Sequence, residues 1–488
     1  MHLLMLVKRS IGVGIVLFWG FMNVLLISRH LGSQVAPIAV PGGETITDRI
    51  EESWGVFYQG EKIGYATQTI DPKPNGFQLR DYSLLRLHLG TTQTAMTRVT
   101  MDADSEWSLQ KFDFELNSQD VRFNARGHVS RGTLAVEITS AGHTTRREIL
   151  LTQQPYLLAA LKPYIATQQL EPNKEYRFFT FDPATLSQQI ATIVIEGREL
   201  VRIADGNEPA IRVRQQLNGI SITSWLDGRG RTLKEESAGG FSLVRQSPEI
   251  ARTLSRSMPL DLITQASVPA DGVIADPRQK QFLKLRLSGF DLTKFLLNGG
   301  RQRLDLDRLE IKLEPINAYQ SLSIPVNDRR VTSFLEPTPF MQSDHPDIRA
   351  LAAKIIGGEK DARRAALRIK DWVYREIAKE PTVSIPNALE VLQIKKGDCN
   401  EHTVLFNALA RAAGIPARTA VGVVYYQGAF YYHAWSEVWL GNWFSLDSAL
   451  NQFPADVTHV KFIEGDIDRQ LDILQLIGKL KIQVIEAS

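Results

Sequence analysis

From residue 50 to about residue 250 apolar and polar positions alternate singly, and from about residue 345 they recur at spacings of three and four. The first period is that of a half-buried strand and the second that of one helix face. Trp54, Val56 and Tyr58 alternate up to the turn-like Gln59-Gly60-Glu61-Lys62, after which Ile63 and Tyr65 resume. Leu85, Leu87 and Leu89 alternate with Arg86 and His88, and Asp227-Gly228 marks a turn between two strand-like runs. These patterns predict a mainly β region over 50–255. A β-leaning connecting subdomain follows over 256–340, with Phe282 to Leu287 alternating and a turn at Asn298-Gly299-Gly300. Helices are expected over 347–356, closed by Gly357-Gly358, and over 361–377, where Ala362, Ala365, Ile369, Trp372, Val373 and Ile377 share a face.

The N-terminus breaks both patterns. Ile11 to Ile27 is a continuous apolar run of 17 residues apart from glycines and Asn23, preceded by Lys8 and Arg9. As a helix it would measure roughly 26 Å against a hydrocarbon core of ~30 Å. No small-residue cleavage site follows, so the run reads as an uncleaved anchor (1–30) joined by a Pro- and Gly-containing linker (31–49). Two cations before the run against one arginine just after it place the chain as a single-pass inner-membrane protein. The C-terminal domain is then periplasmic or outside.

Composition excludes more than it selects. Hydrophobic residues make up 43 % and charged residues 23 %, with a net charge of +2, so there is no electrostatic case for nucleic acid. Cys399 is the single cysteine, which rules out an internal disulfide and any cluster of cysteine ligands. No cofactor or metal is expected.

Candidate chemistry gathers around that cysteine. Asp398 can cap a helix over 399–413, Glu401 completes a capping box, and Gly414 with Pro416 ends it. Val404, Leu405, Ala408, Leu409 and Ala412 form the expected buried stripe. Cys399 falls in the first turn, where the helix dipole and free backbone N–H groups favour thiolate. An antiparallel meander follows: 419–426, 430–440 and 443–447. His433, Trp435, Glu437 and Trp439 share one face of its second strand, and Asp447 ends the third. A strict two-residue loop at 441–442 would set Asp447 opposite Ser436, on the wrong face for His433. A three-residue loop or one bulge is therefore predicted, placing Asp447 opposite Trp435 and diagonal to His433.

Gly397-Asp398-Cys399 with Glu401-His402, Arg411 with Gly414-Ile415-Pro416-Ala417-Arg418, His433-Ala434-Trp435, and Trp443 before Leu446-Asp447 resemble the motifs of the transglutaminase-like superfamily, in its order and spacing. The resemblance covers roughly 345–460. It implies a papain-like thiol fold over 341–488, a catalytic helix packed on an antiparallel sheet, within an α+β chain. Cys399 would be nucleophile, His433 general base and acid, and Asp447 the orienting carboxylate. The substrate would be a peptide or protein amide, attacked to give a thioester; water as acceptor makes a peptidase or amidase, an amine acceptor makes a transglutaminase. A peptide-binding module with the same fold is the alternative from another class. His402 is a rival base without a carboxylate and reads as structural. Trp435 either lines the cleft as a substrate contact or shields the His433–Asp447 pair.

Overall fold

The computed structural model describes residues 32–33 and 46–488, except 89–90, 120, 141, 168–170, 204–205, 218–219, 238–239, 255–266, 316–320 and 381. It divides into two compact units, with the change of unit between Asp261 and Leu262.

The first unit is a 15-stranded antiparallel sheet that curls into a near-closed barrel. Its strands run as two hairpin series, from Ile50 to Leu150 and from Glu175 to Arg245, linked in sequence through the helix Leu158–Thr167 and paired where Phe241–Arg245 meets Ile50–Tyr58. The expected turn at Gln59-Gly60 is present with φ of 48° and 86°, the doubly left-handed pair of a type I′ hairpin. Strand alternation delivers one face inward: Phe112, Phe114, Phe123, Leu134 and Val136 are buried while their neighbours are more exposed. Trp54 donates its indole N–H to the Thr232 carbonyl at 2.9 Å, across strands far apart in sequence.

Among the described residues of the second unit, the helices that build the site are α1 (Pro346–Ile356), α2 (Ala362–Glu376), α3 (Ala388–Ile394) and α4 (Cys399–Ala412). The strands that matter for the site are β1 (Ala417–Tyr426), β2 (Ala429–Trp439), β3 (Trp443–Leu446) and β4 (Val460–Glu464). β2 pairs with β1 on one side and β3 on the other, and β4 lies along the far edge of β1. Strands over 268–312, from the stretch read as a connecting piece, join this same sheet, partly through the C-terminal strand Lys481–Ala487. α4 packs on β1 and β2 beneath α1, α2 and α3.

Two expectations are overturned. The α+β class gives way to a mainly β chain, 50 % strand against 19 % helix. Strands reach 17 residues (Ser187–Ile203), whereas the longest described helix has 15 (Ala362–Glu376). The second is the single-pass inner-membrane placement. Among the described residues no helix is long and apolar enough to cross a membrane. α2, the longest at 15 residues, would span only ~22 Å and carries Arg363, Arg364, Arg368, Lys370 and Arg375. The apolar run at 11–27 lies outside the described residues.

Candidate active site

The start of α4 is built by a reciprocal cap. Asp398 Oδ1 accepts from the Asn400 N–H at 2.8 Å, while the Asp398 N–H donates to Glu401 Oε2 at 2.9 Å. Glu401 is held in turn by the Ser384 hydroxyl. Gly397 is required by this crossing: a Cβ there would lie 2.2 Å from the Glu401 Cβ. The predicted cap and helix limits are therefore present, but the amphipathic reading of the helix is incomplete. Residues 399 to 411 are all buried, the polar ones included. Asn407 donates to Thr419 Oγ1, Thr403 to the Ala434 carbonyl, and Arg411 to the carbonyls of Ala417 and Glu336. A helix covered on every side must partner its polar face internally, and this one does so at those positions.

Cys399 sits on the first turn, 3 % exposed, against the backbone of Ala434, the residue after His433. Burial pushes its thiol well up, the charge of Asp398 adds to that, and the Ala434 backbone contact opposes it. Burial and the adjacent Glu401 likewise raise the Asp398 carboxyl. For the thiol that direction is opposite to the lowering expected at a helix N-terminus, because desolvation on full burial outweighs what one helix terminus offers.

His433 stands on β2, paired with Gly422 of β1. A Cβ at Gly422 would come 1.8 Å from the Val460 carbonyl, so a glycine is what lets β4 approach behind the histidine. In the β2–β3 ladder Trp439 faces Trp443, leaving the three residues 440–442 as the connection. That register carries Asp447 to the place opposite Trp435, and its Oδ2 accepts from His433 Nε2 at 2.6 Å. The other oxygen, Oδ1, accepts from the N–H groups of Ala449 and Leu450 at 2.7 and 2.8 Å. Asp447 is held far below the usual carboxylate range: burial acts against ionisation, but the His433 charge and hydrogen bond, with those of His459, outweigh it.

His459 is the residue that the sequence pattern did not single out. It lies fully buried just before β4, with Nε2 3.1 Å from Asp447 Oδ2 and Nδ1 3.3 Å from Asp456 Oδ1. Burial lowers its basicity, but the two carboxylates override this and raise it to about 9. Asp456 is itself fixed by the Thr458 N–H and hydroxyl and by Gln452 Nε2.

The rings of His433, Trp435 and His459 close on one another. His433 and Trp435 are stacked at 6.2 Å, and Trp435 meets His459 edge-on at 5.2 Å. Trp435 is fully buried, so it offers no surface to a substrate and serves to shield the ion pair. His402 donates from Nδ1 to the Asp398 carbonyl at 2.6 Å, and burial lowers its pKa to about 4, which makes it a neutral helix residue turned to its own main chain.

His433, Asp447 and His459 also bring ligand-type atoms within 4.8 Å of one another. In a tetrahedral zinc site, ligand atoms ~2.05 Å from the ion stand ~3.3 Å apart. The 2.6 Å contact between His433 and Asp447 is shorter than that and fits a charge-assisted hydrogen bond. Beside α4, a cavity of about 20 Å³ bordered by Asn400, Thr403 and Thr419 has room for one water.

Residues 349–448 match the model of the transglutaminase-like superfamily. An uncharacterised protein of Haemophilus influenzae is 32 % identical over 98 residues, which are 19 % of this chain and 26 % of the relative. The chain thus spans about a quarter of the length of the curated relative it matches. Among solved structures, a candidate cysteine protease from Cytophaga hutchinsonii is 18 % identical over 42 % of this chain and 82 % of its own, with a TM-score of 0.29. A β-barrel-like protein of a domain family of unknown function from Brucella abortus is 13 % identical over 40 % of this chain and 93 % of its own, with a TM-score of 0.31.

Proposed function

We propose that the second unit is a thiol-dependent acyl-transfer enzyme acting on peptide or protein amides, with Cys399, His433 and Asp447 as its triad and water as the favoured acceptor. The observation that carries this reading is the 2.6 Å bond from His433 Nε2 to Asp447, made beside the backbone on which Cys399 rests. With Nε2 committed to the carboxylate, Nδ1 is the nitrogen left to work on the thiol.

As Sγ attacks the carbonyl carbon, Nδ1 takes the thiol proton and Asp447 stabilises the imidazolium. The Cys399 backbone N–H, free of an intrahelical partner at the first position of α4, is the natural donor to the developing oxyanion. Collapse breaks the C–N bond, His433 returns its proton to the departing amine, and a thioester on Cys399 remains. Water, deprotonated by His433, attacks the thioester carbon; Sγ leaves and recovers the proton. An amine in place of water would make the same site a transglutaminase.

A peptide-binding module is the second reading, favoured by the depth at which Cys399 lies. Iodoacetamide alkylation of the full chain at pH 7.5, followed by intact mass, separates the two. The enzyme reading expects one adduct on Cys399 whose rate falls at least ~100-fold in His433→Ala; equal rates in the two proteins reject it.

A further inference from the structure

The triad carboxylate is shared. Asp447 Oδ2 lies 2.6 Å from His433 Nε2 and 3.1 Å from His459 Nε2, so one oxygen receives both imidazoles. The two rings meet edge-on with centroids 5.5 Å apart. On its far side His459 presents Nδ1 to Asp456. An imidazole set between two carboxylates donates to both only when both nitrogens carry protons. The charge of the group can then be counted. Asp447 and Asp456 contribute two negative charges and protonated His459 one positive, leaving one net negative charge beside the His433 ring. Protonating His433 brings the buried group to zero. Without the charge on His459, an imidazolium at His433 would face two buried carboxylates.

We propose, building on the triad reading above, that His459 is a positioning residue that keeps its proton throughout the reaction. It holds Asp447 in line with His433 and cancels one of the two carboxylate charges there. The surroundings are arranged for this. Asp456 cannot swing away, because the Thr458 N–H and hydroxyl hold one oxygen and Gln452 the other. Asp447 is fixed on its second oxygen by two main-chain N–H groups. The other charged group facing this turn is Arg301, which donates to the carbonyls of Ala455, Asp456 and His459 and pairs with Glu314 at 3.1 Å. It grips the main chain of the 455–459 turn and leaves the two carboxylates to the imidazole. Trp435, edge-on to His459, closes the pair from water.

The test is the pH dependence of Cys399 alkylation by iodoacetamide in the full chain, for the unaltered protein, His459→Gln and His433→Ala. With His433 as the base that activates the thiol, the acid-side midpoint of the labelling curve follows His433. Glutamine keeps a donor and discards the charge, so the midpoint should rise by about one to two pH units. A role that is only structural would scale the rate at every pH and leave the midpoint in place, which would overturn the proposal. His433→Ala keeps the two claims apart. If it labels as fast as the unaltered protein at every pH, the triad reading falls and this inference with it. If it labels slowly while the His459→Gln midpoint stays fixed, the inference alone falls. Should His459→Gln fail to fold, nitrogen-15 NMR of histidine-labelled unaltered protein decides. A ring protonated on both nitrogens at pH 7.5 supports the proposal, and a neutral His459 at pH 7 overturns it.

Discussion

His433 bonds Asp447 at 2.6 Å across a strand pair whose connection holds three residues, and this odd number decides which face of β3 continues into the site. Removing one strand residue, Ser445, while Trp439 still faces Trp443 would set Asp447 opposite Ser436 and so move it to the opposite face. That deletion should leave the chain folded by circular dichroism while abolishing His433-dependent labelling of Cys399. Labelling at the original rate would show that the register does not set the pair.

Asp447→Asn keeps the shape of the side chain and removes the charge that faces two imidazoles. Acyl transfer should fall by about 10³ to 10⁴. His402→Gln, three residues along the helix from Cys399, should stay within about tenfold of the unaltered rate, because His402 is neutral and turned to the Asp398 carbonyl. Reversal of these two outcomes would make His402 the base.

The helix cap, the helix limits, the meander and the need for an irregular connection were all legible because each depends on residues adjacent in sequence. Asp398 and Glu401 are three apart, and strand parity is a matter of counting. His459 was not legible. It lies twelve residues past Asp447, beyond a stretch without periodicity that turns back on itself where Asp447 bridges Gln452. The burial of Cys399 was also hidden, since it follows from what covers α4, and residues 346 to 394 do that from a distance in sequence. Class was misjudged for a related reason. Strands such as His143–Leu150 carry polar residues at most positions and show no apolar stripe to count.

Glu52, buried in the first unit, has its carboxyl raised to about 7 by desolvation, against opposing charges from Arg245 and Arg231. A carboxyl raised on folding costs nothing below the unfolded value of 4.5 and its full penalty above 7. Glu52→Gln should therefore stabilise the first unit by about 2 to 3 kcal/mol at pH 8 and leave it unchanged at pH 4, as read by urea denaturation. Equal effects at both pH values would contradict the assignment.

Gly422→Ala would drive a methyl group against the Val460 carbonyl, 1.8 Å away, at the point where β4 passes behind His433. A loss of about 1 to 3 kcal/mol or more is expected, with thermal unfolding as the readout. An unchanged melting temperature would mean that β4 does not lie as close as described.

Acylation of Cys399 by p-nitrophenyl acetate tests the thiol chemistry itself. A burst of one equivalent of nitrophenolate is expected with a thioester on Cys399 by mass, slower turnover as water releases it, no burst in Cys399→Ala, and a burst at least ~100-fold slower in His433→Ala. A folded protein that forms no thioester, or forms it equally fast without His433, would contradict it.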